Sequence, residues 1–369
     1  MQAANEPLYR SLLNDIFTFG SVMNARSTEG QEDHKFVEMI HNYSISLQKA
    51  VKVWFSIFNS ETSTSENDFN HWLAKINRLY SPANYPVILS VMLATDSNQK
   101  RTEFLKAMER LLFLESLTAR YYRMNPTTAK MLNIAIRINR GDSSIDDLIS
   151  EINNRAKSIT ENEVGQKEIK EALRSRNYYN WRPTHYLLYE YNQYLQDRSK
   201  TDREKISWMT FIENENDYAS IEHIYPQTAR AKYWTDRFTG LTPANRDLLK
   251  NVIGNLLPLS KPKNAALSNK SFDEKSKSSK AGVGYMYGSY AENEVVALYT
   301  EWTPQAVLDR SLRILDFIED RWGVNFGKDA EKINMLGLGF VKPATRIHPP
   351  LRASAPDKSA KPNRKASRD

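Results

Sequence analysis

The chain has 369 residues, of which 40% are hydrophobic and 26% charged, so it is long enough for two or three domains with buried cores. It contains no cysteine, which excludes disulfides and thiolate metal sites. No stretch of about 18 apolar residues occurs, so no transmembrane helix is expected. The first residues lack the basic start and apolar run of a signal peptide, and a cytoplasmic location is favoured.

The positive charge is concentrated at the C-terminal end. The net charge is +7, but residues 341–369 hold eight Lys or Arg and two Asp, a net +6, which leaves +1 for the rest. With their prolines and small polar residues, these residues are predicted to form a basic disordered tail. A second interpretation, compatible with the first, is an arm that binds phosphates and adds salt-sensitive affinity for nucleic acid.

Residues 1–200 are predicted to form a helical domain. Their apolar residues recur at steps of three and four, the spacing of one helical face. Two such series are Leu8, Leu12, Leu13, Ile16 and Phe17, and Phe36, Ile40, Tyr43, Leu47, Val51, Trp54 and Phe58. Because no repeat of fixed period accompanies them, we expect an irregular helical bundle rather than a solenoid.

A tyrosine-rich helix is predicted near the end of this half. It follows Trp181 and Pro183 and carries tyrosines at positions 186, 189, 191 and 194. The tyrosine stripe fits either a packing seam or a surface that stacks on nucleic-acid bases, and we favour packing. His185, close to the helix start, is expected to be structural.

Residues 201–330 are predicted to form a second domain that ends in a closing helix. A polar stretch over 199–219 marks its start. The closing helix begins with Thr303 as N-cap and Pro304 in its first turn, and it ends at Gly323.

An acidic residue and a histidine lie side by side at the start of this domain. Hydrolysis of a phosphodiester needs a base for water and a divalent cation for the phosphate charge. His223 titrates near neutrality and suits the base, while Glu222 offers a hard oxygen ligand for Mg²⁺ or Mn²⁺. Strand alternation separates the two side chains, but a twisted strand end beside Pro226 can bring both to one cleft.

Three later residues complete the candidate site. Asn255 follows a glycine, and its amide can fix a loop, including the His223 carbonyl. Asn264 starts a short helix and can complete the metal site. Lys275 can bind phosphate or stabilise the charge of the transition state.

In this order, the motifs resemble the C-terminal HNH domain of the GmrSD family of modification-dependent (type IV) restriction endonucleases. The matching elements are Glu222-His223-Ile224-Tyr225-Pro226-Gln227, Gly254-Asn255-Leu256-Leu257-Pro258-Leu259, Asn264 with Leu267-Ser268-Asn269, and Phe272-Asp273-Glu274-Lys275. Trp302, Arg310 and Trp322 resemble the closing helix of the family. The resemblance is sharp over residues 181–325 and general over the helical half.

The resemblance implies a mainly α fold, with the irregular helical bundle followed by a small ββα-metal (HNH) nuclease module packed with further helices. It implies His223 as general base, Glu222 and Asn264 as metal ligands, and Asn255 as the residue that orients the base loop. Asn264 stands where other HNH sites have histidine, and Asn269 is a second candidate in that helix. Pro258 replaces a leucine and is expected to shorten the second strand.

Full-length family members also carry an N-terminal ParB-like nucleotidase domain, and its Asp-Gly-Gln-Gln-Arg element does not occur in this sequence. The chain is therefore expected to be the C-terminal piece of a longer protein or a separate nuclease subunit. Control by nucleotide hydrolysis is expected to reside in that partner domain.

The leading prediction is a metal-dependent DNA endonuclease that restricts foreign or modified DNA, such as phage DNA. Double-stranded DNA and the nucleotidase domain are its expected partners, and Mg²⁺ or Mn²⁺ its cofactor. One alternative is a catalytically inactive HNH-fold module that binds nucleic acid or a protein partner. Another is a nuclease that also acts on RNA.

Overall fold

The computed structural model describes residues 34–59, 68–79, 84–118, 126–174, 176–199, 206–207, 220–278 and 283–343. Within these ranges the protein has fifteen α-helices and two short strands, which confirms the prediction of a mainly α fold. The predicted series from Leu8 to Phe17, most of the polar stretch over 199–219 and nearly all of the predicted tail lie outside the described residues. None of the described helices is both long and apolar enough to cross a membrane.

The first half is a bundle of helices centred on α4. The helices are α1 (His34–Phe58), α2 (Asp68–Leu79), α3 (Tyr85–Ala94), α4 (Asn98–Leu117), α5 (Pro126–Arg140), α6 (Ile145–Thr160), α7 (Glu163–Arg174) and α8 (Thr184–Asp197). Helix α4 lies between α2 and α6, and almost every side chain from Phe104 to Leu117 is buried. The sequence starts two of these helices with local caps, because Ser97 and Ser144 accept backbone N–H groups of the first turns of α4 and α6.

The tyrosine-rich helix α8 is largely buried. Tyr186, Tyr189 and Tyr191 are each at most 3% exposed, and the Tyr186 hydroxyl donates to Glu109 over 2.6 Å. Trp181 is also buried and donates its indole N–H to the Ser116 carbonyl. The packing interpretation is therefore confirmed for these side chains, and they offer no surface for stacking on bases.

The second half contains the two strands and seven helices among its described residues. These are β1 (Ser220–His223), α9 (Lys232–Arg237), α10 (Pro243–Asn251), β2 (Leu256–Leu259), α11 (Lys261–Leu267), α12 (Phe272–Lys277), α13 (Tyr290–Leu298), α14 (Pro304–Trp322) and α15 (Asp329–Met335). Short 3₁₀ turns occur at Tyr178–Asn180, Ile253–Asn255 and Tyr285–Tyr287. The element order at the centre is thus strand, two helices, strand, helix.

The strands pair antiparallel in a fixed register. Ser220 lies opposite Leu259, Glu222 opposite Leu257 and His223 opposite Leu256. Pro258 lies opposite Ile221, inside a strand of four residues. In a two-stranded sheet each strand keeps one unpaired edge, so a residue without an N–H is tolerated there.

Helix α14 follows the predicted limits. The Thr303 side chain accepts the N–H of Ala306, Pro304 occupies the first turn, and Gly323 ends the helix in the left-handed conformation at φ 64°. Its apolar face is buried and consists of Val307, Leu308, Leu312, Leu315, Ile318 and Trp322. One end of this helix packs against the turn before β2, and the other end contacts α4.

Candidate active site

His223 ends strand β1 and is 6% exposed. Its ring lies 4.5 Å, centroid to centroid, from that of Tyr179, which belongs to the helical half. Its Nε2 atom is buried, and none of the residues that the structure describes forms a hydrogen bond with it. Burial lowers the pKa of His223 to about 4; the Asn251 side chain acts against this shift, and Lys275 and Lys250 add to it. At neutral pH the imidazole is therefore uncharged and holds a nitrogen free to accept a proton.

Asn255 holds the segment that follows His223. Its side chain is fully buried, and its Oδ1 accepts the Tyr225 N–H at 2.7 Å and the Trp302 indole N–H at 3.0 Å. Its Nδ2 donates to the carbonyls of Tyr225 at 3.0 Å and Lys250 at 2.9 Å. The Asn255 carbonyl also accepts the N–H of Ile224 at 3.0 Å. Asn255 thus fixes Ile224 through its backbone carbonyl and Tyr225 through its side-chain amide, rather than binding the His223 carbonyl.

Helix α14 supports the turn that carries Asn255. Arg310 is fully buried, and its Nη1 donates to the carbonyls of Gly254 and Leu256, both at 2.8 Å. A Cβ atom on Gly254 would lie 2.2 Å from the Ser311 hydroxyl and 2.3 Å from the Val307 carbonyl oxygen. Only glycine allows this close approach, so the turn and the helix form one packed unit.

Glu222 lies on the opposite face of β1 from His223. It is 4% exposed, and its Oε1 accepts from the Lys275 ammonium at 2.5 Å and from the Tyr285 hydroxyl at 3.0 Å. Burial raises the pKa of Glu222 and lowers the pKa of Lys275, while the attraction between the two charges opposes both shifts. The carboxylate is therefore enclosed in the core with a cation of the protein.

Lys275 is fully buried on α12. Besides Glu222, its Nζ donates to the carbonyl oxygens of His223 and Ile224, both at 3.2 Å. This placement differs from the one expected of a cation that meets phosphate, because the ammonium has no exposed surface.

Asn264 lies in α11, half-buried, close to the start of β1. Its Nδ2 donates to the Ser220 hydroxyl at 3.2 Å, and Ser220 donates to the Leu259 carbonyl at 2.7 Å. No described residue donates to its Oδ1. Asn269, the second candidate in this segment, is exposed, and its carbonyl accepts the Trp234 indole N–H at 3.2 Å.

The Glu222 carboxylate, implied as a metal ligand, is already bonded to Lys275 and Tyr285. Across the described residues, no group of three or more His, Asp or Glu is placed to hold a metal ion. Mg²⁺ keeps several of its waters when bound, but the Glu222 carboxylate is almost fully shielded from water. A second cation at Glu222 would also be repelled by the Lys275 ammonium. Glu222 therefore does not fit a divalent cation in this arrangement.

Four contributors to this arrangement were assigned no role from the sequence. Tyr179 and Tyr285 reach the site through tertiary packing alone, and no local pattern marks them. Trp302 and Arg310 did carry a signal, because both belong to the closing-helix pattern, but that pattern did not reveal that they bind the turn around Asn255.

Comparison with protein families gives a match to part of this chain. Neither the curated proteins nor the solved structures contain a match to this chain. The matching family model covers residues 163–317, a range that includes the five predicted site residues and most of α14. That family is described as the C-terminal domain of GmrSD restriction endonucleases, which supports the GmrSD resemblance for this part of the chain and suggests a restriction endonuclease function. The HNH type of the site stays a prediction.

Proposed function

We propose that this chain is a DNA endonuclease that acts in restriction, with His223 as the general base of phosphodiester hydrolysis. The observation that carries the proposal is the buried and unpaired Nε2 of His223 on a loop held by Asn255. The match of residues 163–317 to restriction endonucleases supports the same reaction class.

The chemistry assigned to His223 is proton abstraction from water. A general base must be unprotonated before the step and within hydrogen-bond reach of the water. Because Nε2 is buried in this structure, this role requires that it becomes accessible to water when the substrate binds. The lowered pKa of His223 keeps the imidazole neutral at neutral pH, and we place its proton on Nδ1, so that Nε2 is the accepting nitrogen. The hydrogen bonds of Asn255 to both polar backbone groups of Tyr225 restrict the adjoining backbone, so the ring direction is set before a substrate binds.

We further propose that the site is of the HNH type. The support is the chain order: histidine at the end of one strand, asparagine just before its antiparallel partner, and a second asparagine in the helix that follows. The resemblance implies Mg²⁺ or Mn²⁺, but no step is assigned to a metal, because Glu222 does not fit one. Double-stranded DNA, foreign or modified, is the proposed substrate, and a nucleotidase domain or subunit is the proposed partner.

The test is nicking of supercoiled plasmid DNA, modified and unmodified, in Mg²⁺, in Mn²⁺ and in EDTA. Wild-type protein is expected to nick in at least one condition, and His223→Ala is expected to lose the activity. His41→Ala, at an exposed histidine of α1, is the matched control and should keep wild-type activity. Equal nicking by wild type and His223→Ala would overturn the assignment of the base. Parallel reactions on RNA measure whether the enzyme is restricted to DNA.

One observation favours a second candidate function, an inactive HNH-fold module that binds nucleic acid. The carboxylate implied as a metal ligand is already paired with Lys275 inside the core. This candidate predicts that the wild-type protein binds DNA but leaves it intact in all three conditions. It also predicts that His223→Ala leaves the dissociation constant for DNA unchanged.

A further inference from the structure

We infer that Lys275 and Glu222 are positioning residues for the His223 loop, which is the segment from His223 to Tyr225. In this account Lys275 does not bind phosphate, and Glu222 is not a metal ligand. In this arrangement the ammonium of Lys275 lies under the end of β1 and holds two successive backbone carbonyls. The Glu222 carboxylate accepts from the ammonium, and the Tyr285 hydroxyl in turn donates to Glu222. The inference rests on the proposed function, because the loop matters for catalysis only if His223 is the base.

The three N–H bonds of Lys275 have three acceptors. These are the Glu222 carboxylate at 2.5 Å and the carbonyls of His223 and Ile224, each at 3.2 Å. An ammonium group has three donors and no acceptor, so this set uses all of them. No donor of Lys275 remains for a phosphate oxygen.

The loop is thereby held from two sides. Lys275 holds the carbonyls of His223 and Ile224, while Asn255 holds the N–H of Ile224 and both polar groups of Tyr225. Every one of these backbone groups is therefore bonded to a residue distant in the chain. Because the backbone of His223 sets the direction of its side chain, Lys275 and Asn255 together set the position of the imidazole.

Helix α12 brings Lys275 to this place through local sequence. Ser271 caps the helix and exchanges hydrogen bonds with Glu274, which fixes the first turn immediately before Lys275. Phe272 is buried against Trp302, with ring centroids 5.5 Å apart. Trp302 also donates to Asn255, so the supports of both sides of the loop meet at one indole.

The experiment compares Lys275→Met, Glu222→Gln and the double variant with wild type, with Lys277→Met, an exposed lysine of the same helix, as control. The readouts are the kcat and KM of plasmid nicking, the Mg²⁺ or Mn²⁺ concentration for half-maximal nicking, the dissociation constant for DNA, and hydrogen exchange of the amides of Ile224 and Tyr225. Melting temperatures show whether each variant folds.

If Lys275 is a positioning residue, Lys275→Met should lower kcat about 10- to 100-fold and leave KM and DNA affinity unchanged. This is the range seen when residues that orient the groups of a site are removed. Glu222→Gln should leave the metal concentration for half-maximal nicking unchanged. The double variant should lose no more kcat than Lys275→Met and should melt closer to wild type than either single variant, because each single change leaves one buried group unpaired. The two amides should exchange faster in Lys275→Met but not in Lys277→Met.

Two results would overturn the inference. A rise in the metal concentration for half-maximal nicking in Glu222→Gln that Lys275→Met does not share would show that Glu222 is a metal ligand. Weaker DNA binding by Lys275→Met at unchanged kcat would show that Lys275 binds phosphate. If wild-type protein does not nick DNA at all, the proposed function fails, but hydrogen exchange and the melting temperatures still test whether Lys275 holds the loop.

Discussion

The side chain of Asn255 forms four hydrogen bonds through its two polar atoms. Its partners are the N–H and carbonyl of Tyr225, the indole N–H of Trp302 and the carbonyl of Lys250. Each of these partners is buried or partly buried. Loss of the amide would leave these buried groups without hydrogen bonds. Because buried polar groups without partners destabilise the folded state, the free energy of unfolding should fall.

Replacement of Asn255 by alanine should therefore destabilise the fold strongly. Since each buried polar group left unpaired costs about 1–3 kcal/mol, we expect the free energy of unfolding to fall by about 3 kcal/mol or more. The matched control is Asn269→Ala, an exposed asparagine for which we expect a change below about 0.5 kcal/mol. Urea denaturation measures both variants, and an equal effect of the two would contradict the assigned role of Asn255.

The burial of His223 predicts that the free energy of unfolding depends on pH. In the folded protein its pKa is lowered to about 4, whereas in the unfolded chain it returns to about 6.5. As the pH falls below 6.5, the unfolded state gains a proton that the folded state does not, so acid favours unfolding. Between pH 7 and pH 5 this residue should cost about 2 kcal/mol of folding free energy.

The His223 contribution is isolated by comparison with His223→Gln. Other groups also titrate in this range, but they do so in both proteins. The loss of stability between pH 7 and pH 5 should therefore be smaller in the variant, by about 2 kcal/mol. Parallel stability curves for the two proteins would show that His223 is not buried in its neutral form.

At the scale of elements, the turn before β2 and helix α14 fit together through one glycine. Gly254→Ala would force a Cβ atom against the Val307 carbonyl and the Ser311 hydroxyl, and the carbonyl cannot rotate away as a side chain can. We expect a loss of about 1–3 kcal/mol in stability, the usual cost of overpacking. Gly339→Ala, where nothing lies within 4 Å of the added atom, should be close to neutral. Thermal melting of both variants checks this pair.

The elements differ in how far their sequence determines them. Helix α14 was predicted to within its caps, because Thr303, Pro304 and Gly323 act through local backbone groups. The faces of β1 also follow from alternation, which placed Glu222 and His223 apart. The expectation that a twisted strand end brings both into one cleft does not match the arrangement. Glu222 is instead held in the core by Lys275 and Tyr285, which lie 53 and 63 residues further along the chain.

At the scale of the whole molecule, buried charges connect the helical half to the closing helix. The ammonium of Lys75 lies 2.5 Å from Glu190, and Arg321 of α14 reaches both Glu190 and Glu109 at 3.4 and 3.3 Å. Trp322 donates its indole N–H to Glu109 at 2.9 Å. These contacts lie between residues more than a hundred positions apart, so no local pattern could have predicted them. The domain limits at 200 and 201 remain a prediction.

The network predicts a strong effect of Glu190→Gln. The change leaves Lys75 as a buried charge with a weaker partner, and breaking a buried pair typically costs about 3–5 kcal/mol. Because the network joins α2, α8 and α14, we expect the melting temperature to fall in a single transition. Glu161→Gln, at an exposed helix end, is the control and should change little. A variant that melts like wild type would show that the pair contributes no stability.

The central claim is that His223 Nε2 takes the proton from water, and chemical rescue tests it most directly. The measurement is the single-turnover rate of plasmid nicking by His223→Gly with and without added imidazole. Loss of a general base should lower the rate by about 10²- to 10⁴-fold, and imidazole in the space left by the side chain should restore part of it. His223→Gly protein that nicks at the wild-type rate without imidazole would contradict the account.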